Sequence, residues 1–178
     1  MLFKCCSREN LWRNLACGAP FLAYSNELSK TYAARGVQHF LKHLQRYGVD
    51  TRQVFITTDL GCEFDGVALH YRPESFHFTI KQTFGAEHRF NPPSCPNANA
   101  DVESVHNTIE AGLFDVQVFS SKADFFAKTT AYQLWYNATR KNSSQDYKSP
   151  ADLTALKAPH LSPKIFLLNP IPWNLFFP

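Results

Sequence analysis

The sequence predicts an α/β domain on a mostly parallel sheet, and three observations point to it. Residues 21–25 are a short apolar run between Pro20 and the polar pair Asn26-Glu27, as expected of a short strand. Ala33, Val37, Phe40, Leu41, Leu44 and Tyr47 then recur at three-and-four spacing, which puts them on one face of a helix. Val54-Phe55-Ile56-Thr57-Thr58 is a β-branched run of the kind buried in a parallel sheet. Strand, helix and strand with short connections make a βαβ unit, whose crossover is right-handed.

The elements follow in order. Ser29 is placed to cap the helix over 29–47, and Gly48 to stop it. Gly61 follows the next strand closely, so Asp59 lies at the strand's C-terminal edge, where sites gather in open α/β sheets. A helix is expected over 74–84 and a short strand over 87–90, halted by Pro92-Pro93. Residues 91–99 read as a loop rich in Pro and Asn. In the helix over 99–114, Val102, Val105, His106, Ile109 and Leu113 share one stripe, with Glu103, Asn107 and Glu110 on the next. Glu103 thus sits on the first turn, where the macrodipole favours a carboxylate. His106 reads as a partly buried core histidine. A further helix over 122–137 has Ser121-Lys122-Ala123-Asp124 as its capping box and buries Phe125, Phe126, Thr129, Tyr132, Trp135 and Tyr136. After Pro150-Ala151-Asp152-Leu153 the periodicity is lost.

Composition bounds the function. The 178 residues suffice for one domain with a real core. With 44% hydrophobic and 19% charged residues the chain reads as globular rather than disordered. A net charge of +3 permits a nucleic-acid partner without requiring one. The five cysteines (Cys5, Cys6, Cys17, Cys62, Cys95) show no zinc-ligand spacing and read as free thiols of a reducing cytoplasm. No stretch reads as a signal peptide or a membrane span, so no membrane partner is expected.

Read alone, Asp59 serves equally as a turn cap or as a ligand, and Glu103 as a helix N-terminal charge. Together they form a candidate divalent-metal pair. Four stretches sharpen this: Thr58-Asp59-Leu60-Gly61-Cys62-Glu63-Phe64; His88-Arg89-Phe90-Asn91-Pro92-Pro93 leading to Asn99-Ala100-Asp101-Val102-Glu103; Tyr136-Asn137-Ala138-Thr139-Arg140 with Ser149-Pro150; and the strand and helix over 21–48. In that order they resemble the integrase catalytic core of bacterial insertion-sequence transposases, the DDE-type group with an RNase H-like fold. The likeness covers roughly residues 13–156.

The resemblance implies a mixed sheet flanked by helices and metal-dependent transfer of DNA strands by two Mg²⁺ or Mn²⁺ ions. It implies catalytic, metal-holding roles for Asp59 and Glu103, and phosphate contacts for Arg89, Arg140, Lys141 and Lys148. The implied partners are DNA (transposon ends and target), and a second copy or a full-length transposase. The implied location is the bacterial cytoplasm, at the nucleoid when DNA is bound. Leu60 and Cys62 stand where the family typically has Asn and Ser. The family's first catalytic Asp belongs to a strand before the 21–25 segment, yet residues 1–12 contain no Asp. The expected organisation is therefore a truncated or replaced segment over 1–19, a core over 20–156 whose first strand is missing or replaced, and a Pro-rich apolar tail over 157–178. The functional expectation is a transposase core that is truncated and inactive alone. The alternative is a non-catalytic remnant that binds DNA or pairs with a transposase. An RNase H-like nuclease unrelated to transposition is a weaker rival, because the stretches around Glu103 and Arg140 are closer to integrases.

Overall fold

The computed structural model describes residues 4–7, 30–64, 73, 75–92 and 100–168. The expected strand over 21–25 and the Ser29 cap lie outside them. The sheet has three strands in the order β1 (Lys4–Ser7), β2 (Val54–Thr58), β3 (Glu87–Phe90). β2 runs parallel to β3, with Ile56 opposite His88 and Thr58 opposite Phe90. β1 pairs antiparallel with β2, Cys5 opposite Ile56. The sheet is mixed, as expected of an RNase H-like α/β core. Its antiparallel edge comes from residues 4–7, where no strand was expected.

α1 (Lys30–Arg46) fulfils its periodicity: Ala33, Val37, Phe40, Leu41 and Leu44 are all buried. Gly48 ends it at φ 89°, and the Val49 amide returns to the Leu44 carbonyl at 3.1 Å. This left-handed stop satisfies carbonyls that the helix end leaves open. These side chains meet Val54 and Ile56 of β2, Phe76 of the short helix α2 (Phe76–Phe78), Ile80 of its π-helical continuation (Thr79–Thr83) and the capping residue Phe84.

A second, smaller cluster joins Ile109 and Leu113 to Tyr132 and Tyr136. It is formed by α3 (Ala100–Ile109), the π-turn Glu110–Phe114 that prolongs it, and α4 (Lys122–Ala138). Two expectations change here. His106 is exposed, because the seam runs through Val105, Ile109 and Leu113. Trp135 is also exposed, because the buried arc of α4 holds Thr129, Tyr132, Gln133, Tyr136 and Asn137 and leaves position 135 outside it. The expected box at Ser121 is half formed. The Ser121 hydroxyl accepts from the Asp124 amide, whereas the Asp124 carboxylate turns to the Ser120 amide and to Lys128.

The chain beyond Asp152 is ordered by a capping signal that periodicity did not register. Ser149 and Asp152 make a reciprocal box with Pro150 on the first turn of α5 (Pro150–Lys157). Ala158, Leu161, Ile165, Phe166 and Leu168 then bury themselves in the main core.

Candidate functional site

Asp59 is the first residue past the β2–β3 ladder. The Thr58 carbonyl accepts from the Asn91 amide at 2.8 Å, which closes the ladder. The Thr58 hydroxyl lies 3.0 Å from the Asp59 carbonyl. The exposed Asp59 carboxylate accepts the Gly61 amide at 2.9 Å through Oδ1. Two carboxylates crowd Gly61. A Cβ there would lie 2.7 Å from Glu63 Oε2 and 2.9 Å from Asp59 Oδ1. Glycine leaves both carboxylates room at the turn, and a Cβ would make these side-chain ends shift. The turn brings Glu63, to which the sequence reading gave no site role, to the same spot as Asp59.

Behind Asp59 stands a group that the sequence reading did not single out. His88 Nε2 lies 2.9 Å from the Thr58 hydroxyl. His77 Nδ1 lies 3.0 Å from His88 Nδ1. All three side chains are buried, and Phe76 and Phe90 pack on the His88 ring at 5.1 and 4.4 Å. The signal for it was period-two alternation, which turns Thr58 and His88 inward on adjacent strands.

Glu103 is exposed on the first turn of α3, and Asn107 and Glu110 on the same stripe are exposed too. Its helix packs into the second cluster, whereas Asp59 borders the first. Carboxylate oxygens are the donors a hard divalent cation takes, and Mg²⁺ keeps several waters beside one or two protein carboxylates. In donor chemistry each carboxylate suits such an ion. Among the described residues no group of three or more His, Cys, Asp or Glu side chains could hold a metal.

The four expected DNA-contacting cations are all engaged within the chain. Arg89 makes a forked pair with Glu87 at 2.7 and 2.9 Å and lies over the Phe55 ring. Arg140 lies over the Tyr136 ring at 4.9 Å. Lys141 Nζ reaches Asp152 Oδ2 at 2.6 Å, and Lys148 is 3.6 Å from Asp146. The Lys141 contact, with the Ser149 amide and hydroxyl, holds the Asp152 carboxyl well below the usual carboxylate range. Exposed pairs of this kind contribute little to stability and exchange readily for other anions. Lys141, Lys148 and Arg140 flank a loop in which Asp146 and Tyr147 both adopt positive φ.

Residues 84–150 match the family model described as Integrase core domain. No curated protein and no solved structure matches the chain. The matched stretch carries β3, Glu103 and the four cations, and Asp59 precedes it. This stretch, within a mixed α/β fold, is similar to an integrase core. Such cores act on DNA and are generally metal-dependent. Among the described residues no helix is long and apolar enough to cross a membrane.

Proposed function

We propose that this chain is the core of an insertion-sequence transposase of the DDE type, using Asp59 and Glu103 to hold Mg²⁺ or Mn²⁺ against DNA. The observation that carries this reading is the integrase-core match over 84–150, which contains Glu103, together with Asp59 exposed at the end of β2. A bound ion supplies Lewis-acid stabilisation of a phosphodiester oxygen. The chain's own part is to place the two carboxylates and to let Arg89, Arg140, Lys141 and Lys148 trade internal partners for phosphates. The chain works where DNA lies, in the bacterial cytoplasm.

We read the chain as inactive alone in strand transfer. Leu60 and Cys62 flank Gly61 where the family has polar residues. The test pairs Mn²⁺ binding with nicking of supercoiled DNA. Mn²⁺ binding abolished by Asp59→Asn, with no nicking, is the expected result. Nicking that disappears in Asp59→Ala overturns inactivity. Absence of both Mn²⁺ and DNA binding overturns the whole reading.

A second reading, pairing with a full-length transposase or another copy, is favoured by one observation. Val116, Val118, Leu134 and Trp135 are exposed at 62%, 85%, 46% and 45% around α4 and the turn before it. Exposed apolar side chains, where they form one patch, are a feature of protein interfaces. Sedimentation of the chain alone and with a transposase distinguishes this reading, and monomeric behaviour in both samples removes it.

A further inference from the structure

We propose that His77 and His88 are positioning residues for Asp59, acting through the Thr58 hydroxyl; this rests on the reading of Asp59 as a metal-holding carboxylate. The inference comes from proton counting along three linked contacts. The Asp59 carbonyl can only accept, so the Thr58 hydroxyl 3.0 Å away gives it its single proton. Toward His88 Nε2, at 2.9 Å, the same oxygen must then accept, so Nε2 carries hydrogen. In its neutral form His88 then has a bare Nδ1, and the facing His77 Nδ1 at 3.0 Å supplies the hydrogen between them. These three bonds point one way, from His77 through His88 and Thr58 to the peptide that bears Asp59.

The direction matters because the opposite tautomer undoes the last link. Were His88 protonated on Nδ1 alone, its Nε2 would be an acceptor. The Thr58 hydroxyl would turn to it and leave the Asp59 carbonyl. His77 blocks that tautomer by pressing its own Nδ1–H against His88 Nδ1. Burial of all three groups makes an unmet bond costly, so the chain stays in one register. The ladder ends at Thr58. Past it, Asp59 is held through its carbonyl by this hydroxyl and through its carboxylate by the Gly61 amide. Partners that orient a metal-holding side chain typically change metal affinity by roughly 10–100-fold when removed.

The experiment measures Mn²⁺ affinity of the full chain by water-proton relaxation, alongside imidazole ¹⁵N spectra. Thr58→Val keeps the shape and removes the hydroxyl, whereas Thr58→Ser keeps the hydroxyl. The expected result is affinity roughly tenfold or more weaker in Thr58→Val and His77→Phe and near wild type in Thr58→Ser. Wild-type spectra should show His77 as the Nδ1–H form and His88 as the Nε2–H form. Equal affinity in Thr58→Val and wild type overturns the inference, as does equal loss in Val and Ser variants. Wild-type spectra with both histidines in the Nε2–H form overturn it even where a variant does not fold. Mn²⁺ binding that ignores Asp59→Asn instead removes the functional reading beneath it, so the two failures are distinct.

Discussion

The Gly61 amide donates to Asp59 Oδ1 across 2.9 Å, so a backbone group two residues on orients the carboxylate at the end of β2. Space beside that amide is already filled, because a Cβ would meet both Asp59 and Glu63 oxygens within 3 Å. Gly61→Ala is expected to push the two carboxylates aside. Because those oxygens are ends of side chains at the surface, the stability change should stay within about 1 kcal/mol. Mn²⁺ affinity should fall while the denaturant midpoint hardly moves, and parallel titrations check this.

Gly112 and Tyr132 are coupled in the second cluster. A Cβ on Gly112 would lie 2.7 Å from the Tyr132 hydroxyl, which donates to the Thr108 carbonyl at 2.9 Å. Alanine gains up to about 1 kcal/mol of helix propensity. Displacing the ring and its hydrogen bond costs about 1–3 kcal/mol. Gly112→Ala should therefore destabilise by about 1 kcal/mol, and Tyr132→Phe beneath it should recover most of that loss. Urea unfolding of both single variants and the double variant measures the coupling.

Phe166 lies in the main core, and its carbonyl accepts from Gln133 Nε2 at 3.1 Å. Phe166→Ala should cost about 3–5 kcal/mol. A loss below 1 kcal/mol would show residues 158–168 to be a dispensable tail.

Two acid-side effects separate by pH. Burial, and to a lesser extent His39 and Arg46, hold the His43 imidazole below its ordinary value, although its hydrogen bond to the Ile165 carbonyl opposes this. A depressed pKa means that the unfolded chain takes the proton first. His43's contribution is therefore present above about pH 6.5 and is lost as pH falls below it. Asp152 is depressed by Lys141 and the Ser149 groups, so its contribution is present above about pH 3.9 and lost only further down. His43→Gln should flatten the first decline, and Asp152→Asn the second. Stability measured against pH tests each, and added salt should weaken only the Asp152 effect.

Periodicity and capping rules placed α1, β2, β3, α3 and α4 from residue order alone, because each buries one face whose spacing is written in the chain. Glycine chemistry likewise located the stop at Gly48. The strand Lys4–Ser7 was not legible, since four residues pair by reaching across to β2 and carry little local signal. The α5 box at Ser149 and Asp152 was present in the sequence but hidden by a weak apolar stripe.

Residue order by itself carried the integrase-core likeness over 84–150 and put Asp59 at a strand end and Glu103 on a helix first turn, because motif spacing and strand ends are local properties. Tertiary structure alone decided what surrounds Asp59. The Glu63 carboxylate reaches it through the turn at Gly61. His77 and His88 lie 11 positions apart, and His88 lies 30 from Thr58, yet they align into one hydrogen-bonded chain. Such a chain exists only when two parallel strands and a short helix close on one another, and no local pattern encodes that closure.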